Sequence, residues 1–111
     1  MIKLVIENYK RPILSESKIS LKDVAEIKTK FPEADFWIVR RGSSKTVGQP
    51  TTEYNPEHIG VKVTATNVLD PKYLRYMIEY LWRSGKFSAI ATGTTNLVNI
   101  RAEDIKNIGI G

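Results

Sequence analysis

Arg40-Arg41-Gly42-Ser43-Ser44-Lys45 is the segment whose residue types best suit a chemical task. Arginine offers a planar fork of donors that pairs bidentately with phosphate, or with O6 and N7 of guanine, whereas lysine is a mobile point charge. Gly42 lets the backbone approach a ligand closely, and Ser43 and Ser44 add short hydroxyl groups. Gln49, Thr51 and Thr52 follow as adaptable secondary contacts. The competing reading is a solvated strand end with ordinary turn residues, the commoner fate of a run of charge.

Other chemistries find little support in the residues. The next glycine after Gly42 is Gly48, and Gln49-Pro50 stands where a phosphate-binding loop needs Lys and Ser or Thr. Arg-Arg-Gly-Ser also resembles a basic kinase target, a string short enough to recur by chance. His58 follows Glu53 and Glu57, but the chain has one histidine and no cysteine, so no second nitrogen or sulfur ligand completes a metal set. No serine lies in a strained nucleophile elbow, and His58 would be the sole imidazole base. The expectation is a protein without catalysis, metal or cofactor.

The balance of 17 Lys+Arg against 12 Asp+Glu gives +5 and favours polyanionic partners, because each neutralised phosphate releases condensed counterions. The lysines are dispersed, however, and many basic proteins bind no nucleic acid. Zero cysteines exclude a disulfide framework and fit a reducing compartment. No segment approaches the roughly 20 apolar residues of a membrane span. Charge interrupts Met1-Ile-Lys-Leu-Val-Ile-Glu too early for a secretory signal, so a soluble cytoplasmic protein is expected. With 111 residues, 41% hydrophobic and 26% charged, one globular domain over 1–111 is expected.

The positioning elements follow from periodicity and punctuation. Ile2 to Ile6 reads as a short strand, and 10–18 as a connection interrupted by Pro12. Ser20 stands as an N-cap with Asp23 three residues on. Leu21, Val24, Ala25, Ile27 and Phe31 then recur at helical spacing until Pro32, which predicts a short amphipathic helix. Phe36-Trp-Ile-Val is a continuous apolar run of the kind buried on both faces of a sheet. A long exposed loop should run to about His58, with one short strand near Thr46 and Val47. Ile59-Gly-Val-Lys-Val-Thr-Ala alternates as a strand.

Asp70-Pro71 is a helix start, an N-cap followed by proline at the first helical position. Leu74, Met77, Ile78 and Leu81 form the apolar stripe, and Tyr73, Tyr76, Tyr80 and Trp82 widen it. Those aromatic rings could stack bases, but beside the stripe they read as core. Gly85 breaks or caps the helix, Phe87 to Ala91 resume it, and a third short helix spans about Arg101 to Asn107. Ile108 and Ile110 form a closing strand or packed tail. The fold class is α+β: a small twisted sheet of mixed direction with two or three helices. The Phe36–Val39 strand should be central, with Leu74–Leu81 covering one face.

This order of motifs resembles the target recognition domains of the DNA-specificity subunits of type I restriction-modification systems. Leu21-Lys-Asp-Val-Ala-Glu-Ile looks like the opening element, and Ile38-Val-Arg-Arg-Gly-Ser like the strand and its Arg-Gly loop. Asp70-Pro-Lys-Tyr-Leu-Arg-Tyr looks like the Tyr-Leu helix. Gly93-Thr-Thr with Asn99-Ile100 is similar to the turn and its following pair, and Ile105-Lys-Asn-Ile-Gly-Ile to the tail. The likeness covers nearly everything after about residue 20. Two departures stand out: no second glycine follows Gly42 closely, and Leu97-Val98 precedes Asn99 where proline is common.

The resemblance implies sequence-specific double-stranded DNA binding without catalysis. It places Arg40 to Lys45 and Thr94, Thr95 and Asn96 near the DNA face. Family members continue into a long spacer helix that docks methyltransferase subunits, whereas this sequence reads to Gly111. The expectation is one recognition unit without the spacer, carried alone by a phage or mobile element. The alternative is a half-subunit or decoy that pairs with methyltransferase or other restriction-modification subunits.

Overall fold

Three consecutive apolar side chains set the centre of the molecule: Phe36, Trp37 and Ile38, all buried, form β2 (Phe36–Ile38). A strand covered on both faces needs neighbours on both edges, and it has them. The computed structural model, which describes residues 19–94 and 96–110, pairs β2 antiparallel with β4 (Pro50–Thr51) and with β5 (Ile59–Val63). With β1 (Ala25–Lys28) added, the sheet runs β1-β5-β2-β4. A second, three-stranded sheet runs β3-β7-β6, built from β3 (Arg41–Gly42), β6 (Thr92–Gly93) and β7 (Val98–Asn99). The described residues form an α+β fold with three α-helices. The mixed strand direction expected from sequence is absent among the described residues, where every ladder is antiparallel. The strand expected over Ile2–Ile6 and the connection 10–18 lie outside the described residues.

The helix expected from Leu21 onward is a single 3-10 turn, Leu21–Asp23, that gives way at once to β1. The Ser20 N–H donates to the Asp23 carboxylate at 2.9 Å, so the start signal is real, but it launches only one turn. Beyond it, Ala25 and Ile27 are buried while Glu26 and Lys28 are exposed and paired at 3.0 Å, a period of two. Ala25 faces Val63 and Ile27 faces Val61 across the ladder. The apolar set fits both periods, and non-local pairing with β5 prevails over a short helix that nucleates at a cost.

The segment after β2 is also more anchored than a free loop. Thr46 and Val47 form a turn rather than a strand, their N–H groups both donating to the Ser43 carbonyl at 3.1 Å, and Val47 is fully buried. Val39 N–H donates to Gln49 O (2.9 Å) and Gly48 N–H to Val39 O (2.8 Å), closing β2 onto β4. Gly48 has φ +94, and a Cβ there would sit 2.3 Å from the Phe87 ring, so only glycine fits.

α1 (Pro71–Arg83) begins as its punctuation demands, with the Asp70 carboxylate accepting from Lys72 N–H at 2.8 Å. Leu74 and Ile78 are fully buried, with Met77, Leu81 and Trp82 packed at the margin. Tyr73, Tyr76 and Tyr80 do not extend this core: they are 63%, 57% and 70% exposed. A 13-residue helix lying on one side of a small sheet buries a narrow stripe, and the rings fall outside it. Gly85, at φ 85, turns the chain into α2 (Lys86–Ile90), which buries Phe87. After α3 (Ala102–Lys106), the tail pairs with the opposite end of the described chain. Leu21 N–H donates to Ile108 O, and Ile110 N–H to Ile19 O, each at 2.8 Å.

Candidate nucleic-acid interface

The two adjacent arginines have different fates. Arg40 turns back onto the molecule: its Nε donates to the Glu57 carbonyl at 2.9 Å, and an Nη pairs with Glu57 Oε1 at 2.8 Å. Its side chain is only 23% exposed, and its own carbonyl accepts from Ile100 N–H at 2.9 Å. Arg40 is thus a clamp tying the end of β2 to the Asn55–His58 turn and to the residue after β7. The fork expected to reach a ligand is already occupied.

Arg41 is the outward-facing member. It is exposed, and none of the ion pairs among the described residues involves it. In the three-stranded sheet Arg41 lies opposite Asn99, and Asn99 lies opposite Thr92. Directly opposed residues share a face, about 4.5–5.5 Å apart, so these three side chains form one row across the sheet. The alternate row is Gly42, Val98 and Gly93, of which Val98 is buried in the core. The row of Arg41, Asn99 and Thr92 therefore turns away from the core. Arg101, exposed and two residues beyond Asn99, continues the line in extended backbone, paired with Asp104 at 3.5 Å.

The flanking loops frame this row. Ser43 and Thr46 hydroxyls lie 3.2 Å apart and brace the turn, with Ser44 and Lys45 exposed at its tip. The Lys45 carbonyl accepts from Trp82 Nε1 at 2.8 Å, which fixes the end of α1 beside this turn. On the other side, Thr94 closes the β6–β7 hairpin: its N–H donates to Leu97 O (3.0 Å), and its hydroxyl accepts from Leu97 N–H (3.2 Å). Gly93 has φ +137, and a Cβ would lie 2.3 Å from the Leu97 carbonyl oxygen. That is the physical reason for glycine at the head of the Gly-Thr-Thr turn. Asn96 is exposed in the hairpin loop, and Thr95 lies outside the described residues.

Gln49, Thr51 and Thr52 belong elsewhere. Gln49 is half-buried where β2 closes on β4. Thr51 lies opposite Trp37 in the edge strand of the larger sheet, its hydroxyl accepting from Glu53 N–H at 3.2 Å. Thr52 is exposed beside it. The structure thus joins the Arg41–Lys45 segment to the Thr92–Asn99 hairpin in one sheet and leaves these three residues in the other. Thr92 and Asn99 are the members that residue chemistry alone passed over. The clue was the alternation Asn99, Arg101 around buried Ile100.

His58 is held below the ordinary histidine range, first by burial and then by the nearby Arg40 charge, with Glu57 opposing. Among the described residues no group of three His, Asp or Glu side chains is placed to hold a metal ion. No described helix is long and apolar enough to cross a membrane. A groove of about 310 Å³ between α1, α2, α3 and the C-terminal tail is lined by Met77, Leu81, Ile90 and Ile108 together with Lys86, Asp104, Asn107 and Gly109. Comparison with protein-family models, curated proteins and solved structures finds no match to this chain.

Proposed function

We propose that the chain is a non-catalytic, sequence-specific double-stranded DNA-binding module, similar in kind to a restriction-modification target recognition domain. The reading rests on one observation: two segments far apart in sequence meet in one small sheet and present Arg41, Asn99 and Thr92 in a row. Arginine and asparagine are the side chains best suited to bidentate contact with guanine and adenine edges. Lys45, Ser43, Ser44, Thr94 and Asn96 stand on the flanking loops, where phosphate and sugar contacts would set the register. Arg40 contributes indirectly, by holding the strand from which Arg41 projects.

The test is fluorescence anisotropy on pools of labelled duplexes. Binding should weaken as salt rises and should differ between sequences. Arg41→Ala should keep the fold and lower duplex affinity. A lost base contact costs about 1–3 kcal/mol at one base position, whereas a lost phosphate contact reduces the log–log salt slope by about 0.9. Absence of duplex binding at low salt would overturn the proposal.

A further inference from the structure

The outer face of α1 is the largest feature that the row on the β3-β7-β6 sheet leaves unused. Tyr73, Tyr76 and Tyr80 stand at positions i, i+3 and i+7, within an arc of about 60° on a helix of 3.6 residues per turn. All three are more than half exposed, so the fold does not need them where they are. Cations border the line. Lys72 and Arg83 fall beside it on the helix, and the Arg75 guanidinium lies 5.1 Å from the centre of the Tyr76 ring. The one acid between them, Glu79, pairs with Arg83 at 3.0 Å and is outnumbered by the three cations. The Asp70 carboxylate is turned to the helix cap. This face is therefore aromatic and net positive, on a chain that itself carries +5.

We infer that this face binds single-stranded nucleic acid, with unpaired bases stacked on Tyr73, Tyr76 and Tyr80 and phosphates met by Lys72, Arg75 and Arg83. Aromatic rings lined by cations are the sequence-tolerant platform such strands use, because every base has a flat face and every linkage a charge. The Cα positions are separated along the helix axis by about 4.5 and 6 Å, from the 1.5 Å rise per residue. Both steps exceed the ~3.4 Å repeat of a duplex strand, so bases meeting these rings must be unstacked. The charge complementarity selects a polyanion over an apolar partner. The surface is distinct from the duplex-facing sheet and does not depend on it.

The experiment is anisotropy of a labelled 12-nucleotide oligothymidine at low salt, with a labelled duplex measured in parallel. Wild-type protein should bind the oligothymidine. Each Tyr→Ala change should weaken that binding about fivefold or more, and the combined Tyr73→Ala, Tyr76→Ala, Tyr80→Ala variant should nearly abolish it. The corresponding triple Tyr→Phe variant keeps the rings and should retain binding. Absence of duplex binding by the wild-type protein, with oligothymidine binding intact, counts against the duplex reading and not against this one. No oligothymidine binding by wild type overturns the inference. So does equal binding by the triple alanine variant, or a loss caused by Lys72→Ala and Arg83→Ala with none caused by the tyrosine changes. Single Tyr80→Ala, at the most exposed ring, decides the matter if the triple variant fails to fold.

Discussion

The two sheets are made of the same kind of ladder and have opposite characters. In the β1-β5-β2-β4 sheet the inner strands are buried almost throughout: all of β2, and all of β5 but Lys62. In the β3-β7-β6 sheet each strand has two residues, β6 is wholly exposed, and two of the six positions are glycines at positive φ. The larger sheet is held by apolar contact and tolerates little change. The smaller one is held by turn chemistry at its ends, and its outward row is free to vary without touching the core. A fold that separates these tasks can alter what it presents while keeping what holds it up.

Phe87→Ala should break the comparison most severely from the core side. The ring is fully buried against Gly48 beneath the β2–β4 closure, and its loss should cost about 3–5 kcal/mol in urea unfolding. Gly93→Ala strikes the smaller sheet instead. Forcing a side chain at φ +137 against the Leu97 carbonyl should cost about 1–3 kcal/mol and lower duplex affinity, with the larger sheet still protected from hydrogen exchange. An equal loss of protection in both sheets would show that they fold as one unit.

The neighbouring arginines sharpen the contrast. Arg40→Ala removes a charged pair and a bond to a backbone carbonyl. It should destabilise by about 1–2 kcal/mol, the exposure of the Glu57 side chain limiting the effect. Arg41→Ala should change stability by less than about 0.5 kcal/mol while lowering duplex affinity. Reversed outcomes would exchange the two roles. The smallest effect concerns His58. Its folded-state affinity for a proton lies below that of the unfolded chain, so the unfolded state takes up more protons in the window just under the ordinary value of about 6.5. Stability should therefore decline slightly as pH falls through that window, and His58→Gln should flatten the decline in a pH series of melts.

Much of the fold was legible because punctuation and burial agreed. Asp70-Pro71 begins α1, Gly85 separates α1 from α2, and the Phe36–Ile38 run is interior. β1 was not legible, since Leu21, Val24, Ala25, Ile27 and Phe31 satisfy a helix and an alternating strand alike. The strand partner Val61–Val63 lies more than thirty residues on. The tyrosines of α1 misled for a related reason: ring size argues for burial, but the width of the buried stripe is fixed by what the helix lies on. At the candidate site, the Arg-Arg-Gly-Ser string could not say which arginine faces outward. That depends on Glu57, seventeen residues away, whose carboxylate and carbonyl both reach Arg40.

The bond from the Trp82 indole to the Lys45 carbonyl gives the molecule a native optical gauge. Of its two tryptophans, Trp37 is buried in the larger sheet, its indole held by the Phe31 carbonyl at 2.9 Å. Trp82 is half-buried and reads the turn that carries Lys45. Indole emission follows the polarity and hydrogen bonding at the ring nitrogen, so the two fluorophores report separate events. Displacement of the Ser43–Lys45 turn shifts the Trp82 component and leaves Trp37 silent until the core opens.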